Sequence, residues 1–292
     1  MQHYSFFHLL FLSLLISLCP SLANAEYQLN SHKSGQRPII DGEIDNNWNK
    51  IKAIEVTDKL TKKKIKIKSL YDKETISFLV IVPDETKNDE HKNLIWNKEK
   101  EIYVTGNKRE DSFVFKWSID GQKKDLSLSA NEPYIADIWY WKAYRTDMLG
   151  FADDKRHIYS FDKSNKSKKF VSKNGNVYYL ERPADEGGAS YKAAIYTDFI
   201  KEELPKYLHL PPTKSRADIK AKGKWENGHW CIEFQRKLDT EHSDDVKFIT
   251  SRSYYFGVAS TEIAGKKPNP KNTNPIHGAG IISDLIKLVF IK

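Results

Sequence analysis

Apolar and polar residues alternate with a period of two along Ile65-Lys66-Ile67-Lys68-Ser69-Leu70-Tyr71, and the pattern returns over residues 112–119. In an extended chain every second side chain points to the same face, so these segments can bury one face only as strands of a sheet. Residues 76–82 form a continuous apolar run stopped by Pro83, which predicts a strand covered on both faces. Residues 177–180, 254–259 and 286–291 add further strand-like runs rich in aromatic and β-branched side chains. Turn residues separate them: Asp120-Gly121, Asn174-Gly175-Asn176, and Glu226-Asn227-Gly228 between residues 219–225 and 229–235. The last of these predicts a hairpin. The expectation is a mainly β fold, an antiparallel β-sandwich with a few short helices and long loops. Short helices are expected at residues 89–98 and 197–208, and long loops at 155–174 and 264–276. No internal repeat or linker divides the chain, so residues 26–292 read as a single domain.

Residues 1–25 are set apart as a signal peptide. Leu9 to Leu18 is an apolar run, and Ala23-Asn24-Ala25 is a small-x-small cleavage site, although residues 1–8 contain no Lys or Arg. An apolar core of that length suits a secretory signal and is too short to span a bilayer. The expected location is the periplasm, or outside the cell after cleavage. No later apolar run reaches membrane length, so stable membrane insertion of the mature chain is not expected. The net charge is +8, with lysines scattered through turns such as Lys62-Lys63-Lys64. This reads as a solvated surface, with a docking patch for an acidic redox partner as the alternative. Nucleic acid is a poor candidate partner for an exported chain. Beyond residue 25 the only cysteine is Cys231, set in the strand-like run Trp230-Cys231-Ile232-Glu233-Phe234. It reads as a small core residue, and no intramolecular disulfide is available to the mature chain.

Residues 136–154 concentrate the chemistry. They hold Trp139, Tyr140, Trp141, Lys142, Tyr144, Arg145 and Met148, the only methionine besides Met1. Aromatic rings offer flat apolar walls, and lysine and methionine can each donate an electron pair to a metal. Asp153-Asp154 is an oxygen-rich pair that could bind Ca²⁺ together with neighbouring backbone, with a structural turn as the simpler reading. His91, His157, His209, His229 and His242 show no metal-ligand spacing and read as surface residues. Trp48 and Trp225 read as core anchors, and Arg236 as a tie to a carboxylate.

Three separated segments carry a family resemblance. The first is Ile40-Asp41-Gly42-Glu43-Ile44-Asp45-Asn46-Asn47-Trp48. The second is Trp139-Tyr140-Trp141-Lys142-Ala143-Tyr144-Arg145-Thr146-Asp147 continuing to Asp154, preceded by Glu110-Asp111. The third is Trp225-Glu226-Asn227-Gly228-His229-Trp230 with Arg236-Lys237-Leu238-Asp239-Thr240. In order and spacing the chain resembles the haem-binding domain of the ethylbenzene dehydrogenase gamma subunit and of c-552-type cytochromes. The first motif also occurs in family 9 carbohydrate-binding modules; the other two are more specific. The resemblance implies a β-sandwich holding one non-covalent b-type haem, in an electron carrier or accessory subunit of a larger oxidoreductase. It would not itself be a catalyst.

A b-type haem needs an apolar slot, axial ligands and polar groups for its propionates. Trp139, Trp141 and Phe151 could wall such a slot, and the planar guanidinium of Arg145 suits a propionate. The resemblance implies methionine and lysine ligands, for which Met148 and Lys142 are the candidates. Their six-residue spacing suits neither two faces of one haem nor a helix, so a second ligand is expected from elsewhere, with His277 the candidate. Residues 126–133 carry no Cys, Met or His where many relatives carry ligand-bearing sequence, and no Cys-x-x-Cys-His encodes covalent attachment. The competing reading is a carbohydrate-binding sandwich without haem, its sugar platform formed by residues 134–144. Hydrolase motifs such as Gly-x-Ser-x-Gly and His-Glu-x-x-His are absent from the sequence.

Overall fold

The computed structural model describes residues 27–261 and 281–292. The signal-peptide residues, the expected loop at 264–276 and His277 lie outside them. The chain opens with β1 (Tyr27–Lys33), β2 (Ile54–Thr57), β3 (Lys64–Tyr71) and β4 (Thr75–Pro83). Next come β5 (Leu94–Asn97), β6 (Ile102–Thr105), β7 (Ser112–Ser118), β8 (Tyr134–Lys142) and β9 (Asp153–Ser160). Shorter strands follow: β10 (Lys168–Val171), β11 (Val177–Glu181), β12 (Tyr191–Ala193), β13 (Glu203–Leu204) and β14 (Tyr207–His209). The described chain closes with β15 (Lys220–Glu226), β16 (His229–Lys237), β17 (Tyr254–Thr261) and β18 (Ile286–Ile291).

The main sheet runs β10-β11-β9-β8-β7-β17-β18-β1-β3-β4-β16-β15, with β2 added to β3. Pairing is antiparallel except where β1 lies parallel to both β18 and β3. The sheet folds over on itself. Phe78 on β4 meets Phe115 and Trp117 on β7 and Trp139 on β8, with ring centroids 5.0, 5.5 and 5.8 Å apart. These strands are not paired neighbours, so the contacts join two facing layers, and the result is the expected β-sandwich. A smaller sheet, β13-β5-β6, and the β12–β14 pair lie outside the main one.

The expected hairpin is present: β15 and β16 pair from Lys220–Gln235 to Glu226–His229. Asn227 and Gly228 both have positive φ, 50° and 76°, the backbone that a two-residue turn of this hand requires. The helical expectations fail. Among the described residues the helices are 3-10 turns only, Asn46–Trp48, Asp147–Leu149 and Lys214–Ala217. Residues 89–98 end in β5, whose Leu94 is buried, and residues 197–208 contain β13 and most of β14. Sheet pairing of β13 with β5 satisfies backbone groups that a helix would otherwise satisfy internally. The stretch 155–174 is likewise more than a loop, since it completes β9 and contains β10. Among the described residues no helix is long and apolar enough to cross a membrane.

Candidate functional site

The motif segments meet in space and tie the two layers together. Asp147 accepts hydrogen bonds from Trp141 Nε1 at 2.8 Å, from the Gly223 amide at 2.6 Å and from Lys222 Nζ at 2.9 Å. Gly223 carries no side chain where the Trp141 ring passes; a Cβ there would lie 2.5 Å from the indole. Glu110 accepts from the amides of Tyr144 and Arg145, both at 2.8 Å, and from Arg145 Nε. Asp111 accepts from Trp230 Nε1 at 3.0 Å. In the opening motif, Glu233 accepts from Trp48 Nε1 at 2.7 Å and from the amides of Asp41 and Gly42. Burial pushes the Glu233 carboxyl up to about 7, against these donors. Each signature carboxylate therefore pins an indole or a backbone turn.

This geometry changes the expected roles of residues 136–154. Trp139 and Trp141 sit on the inner face of β8 and are buried, at 0% and 1% exposure. Trp139 packs on Phe115, Trp117, Phe248 and the Arg236 guanidinium. Trp141 packs edge-on to Trp230, with centroids 4.9 Å apart. Protein side chains fill the space beside both indoles, where a haem slot had been expected, and neither offers an open face for a sugar. Phe151 lies under the Lys220 ammonium, 3.9 Å from its ring centroid. Arg145 is committed to Glu110. Lys142 is buried, with Nζ 2.5 Å from Asp153 Oδ2 and 3.2 Å from Tyr191 Oη. Met148 lies on the 3-10 turn that follows and is 58% exposed. The structure thus keeps Lys142 and Met148 apart in environment. His277 is outside the described residues.

Asp153 is the hub of a buried ionic cluster. Its carboxylate contacts Lys142, Lys155 at 2.7 Å and Arg216. Burial alone would raise its pKa, but Lys142, Lys155 and Arg216 outweigh that and hold it far below the usual carboxylate range. Two histidines read as surface residues are instead interior. His157 and His91 are 4% and 9% exposed, and burial drives both toward the neutral form. Arg236 does tie to a carboxylate, Asp137, at 2.8 Å, with both side chains fully buried.

A cavity of about 800 Å³ opens between the segment preceding β8, strand β10 and the segment preceding β18. Leu126, Leu128, Phe170, Val171, Ile282 and Leu285 supply its apolar lining. Lys59, Lys123, Lys124 and Lys173 border it. Three of these amines already face carboxylates: Lys59 on Asp284 at 2.7 Å, Lys124 on Asp120 at 2.5 Å and Lys173 on Asp125 at 2.6 Å. No local sequence pattern marks this cavity, because its lining comes from four segments far apart in the chain. Residues 126–133 had stood out only for lacking ligands.

The sequence matches the family profile described as Ethylbenzene dehydrogenase over residues 45–261. The chain belongs to the ethylbenzene dehydrogenase family. No curated protein matches this family member. Among solved structures, it is similar to a carbohydrate binding module family 9 from Caldicellulosiruptor kristjanssonii in complex with glucose. That pair shares 14% identity over 90% of this chain and 97% of the other, with a TM-score of 0.39. The same module in complex with cellotriose gives 14% identity, 91% and 95% coverage, and a TM-score of 0.40. A putative carbohydrate-binding protein from Bacteroides uniformis gives 9% identity, 90% and 100% coverage, and a TM-score of 0.36.

Proposed function

We propose that this protein is an exported electron-transfer protein that holds one b-type haem without covalent attachment and serves a larger oxidoreductase as carrier or accessory subunit. The observation that supports the reading is the apolar cavity of about 800 Å³ with lysines at its border, in a member of this family. Its volume lies within the range of cofactor sites, which are mostly apolar with a few placed polar groups. The residues fit two of the three needs of a b-type haem. Leu126, Leu128, Phe170 and Ile282 match a porphyrin face, and Lys59, Lys124 and Lys173 would turn from Asp284, Asp120 and Asp125 to meet two propionates. The third need is axial ligation. The described lining offers lysine amines for it, and His277, four residues before Ile281 in the sequence, is the imidazole candidate.

When bound, haem supplies one-electron chemistry; the chain supplies the apolar enclosure and the charge. Leu126 is fully buried and keeps water from the inner wall. The lysines bind carboxylates, as three of them do already. Lys142 and Met148 lie away from this cavity. Lys142 serves Asp153, so removing its amine should alter folding more than colour.

The test is reconstitution of the purified, folded protein with hemin. The expected result is a Soret band with sharp α and β bands on reduction, at about one haem per chain. Leu128→Trp, which places a bulky ring on the apolar wall, should weaken the bands while leaving the circular dichroism unchanged. Single replacements of His277, Lys59, Lys123, Lys124, Lys173, Lys142 and Met148 should shift the spectrum at the ligand positions only. A folded protein that stays colourless in excess hemin refutes the proposal.

A further inference from the structure

Three carboxyl groups converge inside the sandwich, with a fourth beside them, and too few donors to satisfy them. Asp137 on β8, Asp154 on β9 and Asp245, between β16 and β17, each offer an oxygen, and these oxygens lie within 4.8 Å of one another. Asp185, between β11 and β12, joins Asp154: its amide donates to the Asp154 carbonyl at 3.4 Å, and its carboxyl adjoins that of Asp154. Arg236 faces the group, with Nη1 2.8 Å from Asp137 and 3.4 Å from Asp245. Arg156 Nε is 3.3 Å from Asp185. Four carboxylates against two guanidinium groups leave two negative charges uncompensated.

A cluster of acidic residues is ordinary at a surface, but this one is not at the surface. Asp154 is 0% exposed, and no hydrogen-bond donor among the described residues reaches either of its carboxylate oxygens. Asp137 Oδ1 and both carboxylate oxygens of Asp185 and Asp245 also lack a well-aligned donor. By contrast, Asp137 Oδ2 accepts from Arg236, Trp139 Nε1 and the Val246 amide. One oxygen of Asp137 is therefore held by three donors, while its other oxygen and those of Asp154 and Asp245 lack one. Buried carboxyl groups without donors are compensated either by protons or by a cation.

We propose that Asp137, Asp154 and Asp245 bind a single Ca²⁺ ion that pins β8, β9 and the segment between β16 and β17 together, with Asp185 beside Asp154. The donors are all oxygen, which selects a hard cation, and carboxylates on independent segments suit the irregular, high-coordination shell of Ca²⁺ better than the strict octahedron of Mg²⁺. The charge matches, because the ion supplies the two positive charges that the guanidinium groups do not. Asp245 also borders a solvent-open surface cavity with Ser243 and Arg252, which gives an ion its route in. This site is separate from the apolar cavity and does not depend on the haem reading.

The experiment uses the whole purified protein without hemin. After dialysis against EDTA, equilibrium dialysis with radioactive Ca²⁺ should return about one ion per chain. Thermal melting should fall in EDTA and recover with Ca²⁺ but not with equal Mg²⁺. Asp154→Asn removes one charge and keeps the shape; its melting temperature should no longer respond to Ca²⁺. A folded, EDTA-treated protein that retains no Ca²⁺ at about 1 mM free ion, with a melting temperature unmoved by Ca²⁺, overturns the proposal and leaves the carboxyls sharing protons. An equal response to Mg²⁺ overturns the assignment to Ca²⁺.

Discussion

Asp153 shows how one buried side chain can hold several others. Its carboxylate is the shared partner of Lys142 and Lys155, which are drawn from adjacent strands, and of Arg216, from a 3-10 turn. Removing it would leave the buried Lys142 ammonium, and the half-buried Lys155, without their counter-charge. Asp153→Ala is therefore expected to cost about 3–5 kcal/mol in urea unfolding, whereas Lys142→Met, which leaves Asp153 with two cations, should cost less. The pH dependence has a definite sign. The folded pKa of Asp153 is depressed, and its unfolded value is about 3.9. Its contribution is thus complete above that value and is lost as pH falls below about 4. The stability difference between the wild type and Asp153→Asn should be flat at neutral pH and shrink below pH about 4, as read from urea midpoints across pH. Lys142 and Asp153 stand eleven residues apart, a separation that does not pair them in the sequence. Only the β8–β9 register selected Asp153, which pairs with Tyr140 one pleat away from the end of β8.

At the scale of elements, the β15–β16 hairpin is the clearest case of a local signal carried through. Alternation fixed the strands, and Asn227-Gly228 fixed the turn. Gly228 has φ 76°, and a Cβ there would meet only the Asp84 carbonyl, at 3.9 Å. The cost of Gly228→Ala is then conformational and not steric, about 1 kcal/mol by the penalty for a left-handed L-residue, measurable as a shift in urea midpoint at unchanged slope. The segments at 89–98 and 197–208 show the opposite case. Their composition permits a helix, but β5 and β13 pair with each other across more than a hundred residues. Such pairing is invisible to any short window of sequence, because the deciding hydrogen bonds are non-local.

Across the whole molecule, stability is concentrated where the two layers meet. Phe78, Phe115, Trp117, Trp139, Phe234 and Phe256 form one aromatic core, all at 0% exposure. The β13-β5-β6 sheet instead exposes Ile95, Ile102 and Val104. Native-state hydrogen exchange is expected to be slowest in β4, β7, β8 and β16 and much faster in β5, β6 and β12, because local opening follows the density of buried apolar contacts. Equal protection in both sets would contradict this division. The apolar cavity lies at the side of the aromatic core, bordered by segments that precede β8 and β18. A cofactor there would add to the fold without being needed to fill its centre.

By itself the sequence determined the class of fold: period-two alternation leaves an apolar face that only sheet layers can bury, and Gly and Asn mark where the chain reverses. It also carried the family pattern. What those signature residues do was decided by the tertiary structure alone. Asp147 reaches Trp141 and Gly223, and Asp137 meets Arg236, Asp154 and Asp245, only because two layers in a particular register bring residues up to about a hundred positions apart to within hydrogen-bonding or ion-pairing distance. Charge inside a protein is tolerated according to its neighbours in space, and a linear sequence does not state which neighbours those are.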